Sequence, residues 1–438
     1  MIFDSQAQEL NAIIEENNRG IFDVLSQRGK ESYFPQNGIL AQSAAAANCK
    51  INATIGIALE EDKSTACLPC LAELIQLNSS ELSAFQYAPS SGLKELREIW
   101  QKMMIEKNPP LKNIPISLPI TTSALTHGLY IAAQMFLDSN DSIIFSDYFW
   151  ENYKLVLCRS TGAQHQSFST FTDNGKYNID GLRDSLSQGG AGKKVLLLNF
   201  PNNPTGYTPT AEEAKQIRDV LIEEAKRGSN IAVIIDDAYF GLVFEDDIFT
   251  QSLFSLLADA HENILAIKCD GATKEDYAWG LRAGFLTFGV KGGNAKLYNA
   301  LEQKTAGFIR EQISSASRMS QLFLIRAYKH PNYNAEKQKK YDLLKKRYEK
   351  VKEILAENRN YGDYFTALPF NSGYFMCVKL KDGIDAEKVR ELLVKKYSIG
   401  VIQMYGVLRV AFSSTPTDEL SLVFDSIFNC CKELEETA

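Results

Sequence analysis

The amino-acid sequence predicts an α/β protein: a mostly parallel, doubly wound sheet followed by a smaller α+β segment. Three observations predict it. Between about residues 115 and 290, short apolar runs alternate with longer amphipathic stretches. The runs are continuously apolar, as strands are when helices cover both faces of a parallel sheet. Toward the C-terminus the alternation stops, and charged or amphipathic helices flank further short apolar runs.

The expected strands are SIIFS (142–146), KVLLLNF (194–200), IAVIID (231–236), ILAIK (264–268) and AGFLTFGV (283–290). Between the second and third, TAEEAKQIRDVLIEEAKRG (210–228) sets Ala214, Ile217, Val220, Leu221 and Ala225 at helical spacing, with Gly228 as its stop. The run TTSALTHGLYIAAQ (121–134) reads as strand end, loop, then helix. Residues 335–357 form a charged helix with a seam at Leu344, Tyr348, Val351 and Leu355. A final helix after Thr415-Pro416 buries Leu420, Val423, Phe424, Ile427, Cys431 and Leu434. Strands YFMCVKL (374–380) and VLRVAFS (407–413) lie between them, making a second domain of roughly a hundred residues. SQGGAGKK (187–194) lacks the spacing of a phosphate loop and reads as a turn before a strand.

A chain of 438 residues has room for two or three domains at ~150 residues each. Hydrophobic residues at 45% and charged residues at 23% are a globular composition, which excludes a disordered, collagen-like or disulfide-scaffold protein. Net charge is 47 − 54 = −7 with no basic block, against a nucleic-acid or anionic-membrane partner. MIFDSQAQEL at the start has no Lys or Arg and is not a secretory signal, and the apolar runs are too short to span a bilayer. The spacing Cys67-Leu-Pro-Cys70 suits redox or zinc chemistry, but no second such pair accompanies it. The histidines at 127, 165, 261 and 330 do not complete a zinc set. The expectation is reduced thiols, no metal and a cytoplasmic protein.

Three segments fall at C-terminal strand ends, where ligands bind in such sheets: Asn199-Phe-Pro-Asn-Asn203-Pro-Thr-Gly206, Asp236-Asp237-Ala238-Tyr239 and Lys274-Glu-Asp-Tyr-Ala-Trp-Gly280-Leu-Arg282-Ala-Gly284. Singly they read as a turn, a strand end and a solvated lysine. Arg409, inside Leu408-Arg-Val-Ala-Phe412, puts a charge in an apolar strand, which is costly unless paired or functional. Together and in this order, the segments resemble the class I and II aminotransferases over about Ile51 to Phe412.

That resemblance implies a pyridoxal 5′-phosphate enzyme of fold type I, with a large domain over 61–315 and a small domain built from 1–60 and 316–438. It implies a Schiff base on Lys274, whose freed amine then shuttles a proton. Asp236 matches the carboxylate that keeps the cofactor's ring nitrogen protonated, with Asp237 on the other face of the strand. Asn203 and Tyr239 match the hydrogen-bond partners of the phenolic oxygen. Arg282, Thr126, Thr273 and the backbone of Ala124 and Leu125 match the phosphate site. Trp150 matches the aromatic stacked on the ring, a part that Phe149 could also fill. Arg409 matches the clamp on the substrate's α-carboxylate, and Gly56 offers a backbone N–H beside it. Tyr87 matches a tyrosine that reaches the neighbouring subunit's phosphate, which implies a homodimer. Arg310 aligns with the arginine that takes a distal carboxylate across the dimer.

The implied reaction moves an amino group from an L-amino acid, aspartate or aromatic by inclination, to a 2-oxo acid such as 2-oxoglutarate. A lyase, decarboxylase or synthase on the same scaffold is the alternative. A cofactor-sensing DNA-binding regulator is disfavoured by the acidic chain and the short, weakly basic N-terminal segment. Gly271 stands where the family often has a phosphate-binding Ser, Ala124-Leu125 replace a Gly-rich loop so that Leu125 must take negative φ, and Ser314 stands in a rewritten Ser-Asn-Pro-Pro stretch.

Overall fold

Residues 4–17, 19–25, 30, 38–54, 56–73 and 84–437 are described by a computed structural model. A two-residue strand, β1 (Ile51–Asn52), precedes the strands of a seven-stranded sheet. These are β2 (Ile120–Ser123), β3 (Ser142–Ser146), β4 (Gln164–Phe168), β5 (Lys193–Asn199), β6 (Asn230–Asp236), β7 (Ile264–Gly271) and β8 (Ala283–Gly289). Their order is β2-β8-β7-β6-β5-β3-β4. The pairs β4–β3, β3–β5, β5–β6 and β6–β7 are parallel.

One strand departs from the parallel reading. β8 runs antiparallel to both β7 and β2. The stretch 272–282 that joins β7 to β8 is shorter than the roughly dozen residues a parallel crossover needs, so the chain turns straight back. That reversal makes Lys274 a turn residue at the sheet's C-terminal edge. β4, sequence QHQSF, was not expected, because an edge strand needs no continuous apolar run.

The two-residue period of the strands divides the core. Leu197, Ile234 and Ile267 pack into one cluster, and Leu196, Leu198, Val233, Ile235 and Ala266 into the other. The helix Ala124–Phe136 covers the first face with Leu129, Ile131 and Ala132. The helix Ala211–Lys226 covers the second with Ala214, Ile217, Val220, Leu221 and Ala225, and Thr210 and Glu213 close its start with a capping box.

The C-terminal half adds β9 (Phe365–Ala367), β10 (Phe375–Leu380), β11 (Ile399–Gly400), β12 (Ile402–Met404) and β13 (Val407–Ala411). β12-β13-β10-β9 form an antiparallel sheet, and β1 pairs with β11 in parallel. The helix Tyr333–Glu357 buries Leu344, Tyr348, Val351 and Ile354, whereas Leu355 is only half-buried. Arg347 on the same helix is fully buried and donates to the carbonyls of Leu59 and Ser413 at 2.7 and 2.6 Å, stitching the N-terminal segment to β13's exit. The helix Leu420–Thr437 buries Leu420, Val423, Phe424, Ile427, Cys430 and Cys431. Among the described residues no helix is long and apolar enough to cross a membrane, and no three His, Cys, Asp or Glu side chains gather to hold a metal.

Candidate active site

A cleft of about 350 Å³ opens where β5, β6 and β7 end and β10 and β13 approach from the other sheet. Asn199 and Asp236 are the last residues of β5 and β6 and stand opposite each other in register. Lys274 lies in the turn just past β7. All three line the cleft, with Arg409 from β13 and Phe375 from β10 facing them.

Asp236 is 2% exposed. Its carboxylate accepts from the Tyr153 hydroxyl and, at 3.0 Å, from the Ala238 backbone N–H. Burial pushes its carboxyl up to about 6, while the Tyr153 hydrogen bond and the Lys274 charge pull the other way. Asp237 points away, to Ser252 and Lys268, as the strand period requires. Burial lowers the affinity of the Lys274 amine for its proton, the Arg282 charge adds to that, and Asp236 opposes it. The amine sits 5.2 Å from the centre of the Tyr239 ring. Tyr239 packs edge-on against Tyr374 and Phe375, and burial drives its hydroxyl's affinity for its proton upward.

Arg409 is 3% exposed. It donates to Asn203 Oδ1 at 3.0 Å and to the Thr54 carbonyl at 3.1 Å, and it lies 4.2 Å over the Phe375 ring. Its Nε is buried with no partner. Asn203 is itself fixed by its backbone N–H on Asn199 Oδ1 at 2.9 Å. Gly56 lines the same end.

The helix Ala124–Phe136 starts directly at the end of β2, with no intervening loop. Leu125 and Thr126 at its first turn line the cleft, where unpaired backbone N–H groups collect. Leu125 takes negative φ, as expected, because Ala124 takes the left-handed turn at φ 65°. Gly271 pairs with Gly284, and a Cβ there would meet the Ala283 carbonyl oxygen at 2.6 Å, so a serine hydroxyl has no room. Thr273 is buried and its Oγ1 has no partner. The ambiguity over the aromatic resolves: Phe149 is buried against Phe145 and Tyr405, and Trp150 lines the cleft.

Six expected residues, Ala124, Thr273, Arg282, Arg310, Tyr87 and Ser314, do not line this chain's cleft. Arg282, in the left-handed region at φ 49°, is exposed and donates to the Trp279 carbonyl at 3.2 Å. Its backbone carbonyl instead accepts the Ala124 N–H at 2.9 Å. Arg310 is exposed near the end of the helix Ala295–Ile313. Tyr87 is 89% exposed. Ser314 caps that same helix at φ 62° and its carbonyl accepts from Ser90. Ile55, beside Gly56, lies outside the described residues.

Two residues that sequence reasoning passed over belong to the site. Tyr153 holds Asp236, and Asn199 donates to the Asp236 carbonyl at 2.9 Å while fixing Asn203. The signal for Tyr153 was its place three residues after Trp150, one helical turn on.

The donor set fits pyridoxal phosphate. A half-buried amine and a buried carboxylate share one cleft, Arg409 Nε beside it and Thr273 Oγ1 next to Lys274 are without partners, and a helix N-terminus offers an anion seat. Comparisons with known proteins agree. An aspartate aminotransferase of Bacillus sp. (strain YM-2) is 26% identical over 267 residues, 60% of this chain and 62% of that protein. A probable N-acetyl-LL-diaminopimelate aminotransferase of Bacillus subtilis (strain 168) is 27% identical over 200 residues, 46% of this chain and 47% of that one. The aligned stretches thus span less than two-thirds of these relatives' lengths. Among solved structures, an aminotransferase from Anaerococcus prevotii superposes with a TM-score of 0.79 at 24% identity, covering 93% of this chain and 99% of that one. An aspartate aminotransferase from Thermus thermophilus with maleate gives 0.71 at 17% identity, covering 93% and 99%. At these identities the superpositions carry the fold, which is that of the type I pyridoxal-phosphate aminotransferases. Residues 49–427 match the family described as aminotransferase class I and II, and the chain belongs to that family.

Proposed function

We propose that this protein is a pyridoxal-phosphate aminotransferase that takes the amino group from an L-amino acid, aspartate or aromatic, and gives it to a 2-oxo acid such as 2-oxoglutarate. One observation carries the reading: a half-buried lysine and a buried aspartate share a cleft with a buried arginine whose Nε has no partner. Bound there, pyridoxal phosphate supplies the electron sink that lets a Cα proton leave.

Each residue has a separable task. Lys274, its proton affinity lowered by burial, takes and returns the Cα proton. Asp236, held in place by the Tyr153 hydroxyl, would pair with the cofactor's ring nitrogen and keep it protonated. Asn203, Tyr239 and Trp150 line the cleft, where the first two would hold the cofactor's phenolic oxygen and the third would pack on its ring. Leu125 and Thr126 would offer the helix N-terminus to the phosphate, and Thr273, Ala124 and Arg282, which do not line the cleft in this structure, would complete that site. Arg409 and Gly56 hold the substrate's α-carboxylate.

Exposure of Tyr87 at 89%, next to Phe85 at 72%, supports a homodimer in which Tyr87 and Arg310 serve the partner's cleft. Pairing of β1 with β11 supports a small domain that joins 1–60 to 316–438 against a large domain of 61–315. A cytoplasmic location completes the proposal. The aspartate leaning is supported by relatives named aspartate aminotransferase. The test is a half-reaction: L-aspartate or L-tyrosine added to cofactor-loaded protein should yield the 2-oxo acid and pyridoxamine phosphate without free ammonia. Ammonia and pyruvate in their place would turn the assignment to a lyase.

A further inference from the structure

Behind the cleft, on the opposite face of the sheet, lies a buried ion cluster that the reaction as proposed leaves unused. Asp237 follows Asp236 and accepts from Ser252 Oγ at 2.6 Å and from the Lys268 amine. Lys268, on β7, also meets Asp270 Oδ2 at 3.0 Å. Asp270 Oδ1 accepts from the Trp100 indole N–H at 3.0 Å. The three charged side chains are 3%, 1% and 2% exposed, in the order Asp237, Lys268, Asp270. Two carboxylates and one ammonium leave a formal charge of −1 in a buried site.

Such a cluster is weak support for a fold, because an apolar set of the same volume would serve as well or better. Its placement suggests another use. Lys268 and Asp270 flank Cys269, which stands in register with Asp236, and Asp270 lies four residues before Lys274. We propose that Asp237 and Asp270, bridged by Lys268, are positioning residues whose residual negative charge, set one strand-thickness behind Asp236, favours the protonated form of the cofactor seated in front of it. The inference rests on the reading that the cleft binds pyridoxal phosphate.

Among the described residues, Lys268 is the cation that pairs with Asp237 and Asp270. From the cleft side Asp236 is faced by Tyr153, Tyr239 and Lys274, and from β7 by the Cys269 thiol, which burial keeps protonated. Arg282 bears on Lys274, and Arg409 on Tyr239. Glu275 borders the cluster but is balanced by Lys107 and Lys337, and the adjoining Asp276 is tied to Lys337, Tyr328 and Tyr333. Burial pushes the Asp270 carboxyl up to about 6 and raises Asp237 as well, while the Lys268 charge opposes both shifts.

The test is the pH midpoint of the visible absorbance change of pyridoxal-phosphate-loaded protein. Asp237→Asn and Asp270→Asn each neutralise the cluster and should lower that midpoint by about one pH unit, the effect of one charge about 10 Å away at an effective dielectric of about 20. Ser252→Ala and Trp100→Phe remove hydrogen bonds to the same carboxylates without changing charge. They should lower the melting temperature of the cofactor-free protein and leave the midpoint in place. Midpoints unmoved in the Asn variants, or moved equally in all four, would overturn the proposal. A parent protein that takes up no cofactor would instead refute the underlying functional reading.

Discussion

Replacing Arg409 by lysine keeps the charge and discards the planar fork. The arginine donates to Asn203 and Thr54 and lies over the Phe375 ring, which leaves Nε as a buried donor without a partner. A hydrogen bond to a charged group contributes about 1.5–3 kcal/mol. Lysine in this socket satisfies the Asn203 and Thr54 acceptors or the substrate carboxylate, and not both. Losing a bidentate carboxylate contact should therefore cost about 3 kcal/mol, or roughly a hundredfold in kcat/KM. The loss should fall mainly on KM, because cofactor contacts remain. Steady-state kinetics with L-aspartate and 2-oxoglutarate, beside cofactor titration by absorbance, would measure both. Arg409→Ala should lose more, with the cofactor still bound. A kcat/KM within threefold of the parent in Arg409→Lys, or loss of cofactor binding with unchanged KM, would refute the reasoning.

Three further outcomes are expected. Gly271→Ser should not supply the family's hydroxyl. Its Cβ would press on the backbone of Ala283 and Gly284 at 2.6 and 2.8 Å, so the variant should lose about 1–3 kcal/mol by denaturant melt and gain no cofactor affinity. Ala124→Gly relieves a left-handed alanine at φ 65° and should raise the melting temperature, by about 1 kcal/mol in stability, with cofactor affinity unchanged; a fall in melting temperature would show that no strain is stored there. In cofactor-free protein, Asp236 has its carboxyl raised from 3.8 to about 6, so the folded state binds that proton more tightly than the unfolded chain. Its contribution is present below pH ~4 and is lost as pH rises to ~6, about 3 kcal/mol in all. Cofactor-free Asp236→Asn should therefore gain stability relative to the parent across that interval, and a flat or falling difference would contradict the burial argument.

What the sequence made legible follows burial. β5, β6 and β7 are covered on both faces and read as apolar runs within a few residues of their ends. β4 has the polar sequence QHQSF at the sheet's edge and gave no such signal, and β1, β11 and β12 are too short to show a period. The direction of β8 was hidden because a strand's composition does not encode its polarity; only the short 272–282 connection does. In the site, Lys274, Asp236, Asn203 and Tyr239 were readable only as an ordered set of motifs that resembles a family, and Arg409 also because a charge is an odd choice in an apolar strand. Tyr153 was not, since a tyrosine among aromatics reads as packing. Asp237 was expected to face away, but its partner Lys268 comes from the next strand, and such adjacency across a sheet leaves no trace along the chain. The resemblance implies that Tyr87 and Arg310 serve the neighbouring subunit's cleft, and both stand on this chain's surface.

The most direct test is to load the protein with pyridoxal phosphate, reduce it with borohydride, digest it and locate the modified peptide. A yellow protein whose phosphopyridoxyl group maps to residue 274 is the expected result. A colourless protein, or a modification on Lys268 or a surface lysine instead, would contradict the account at its root.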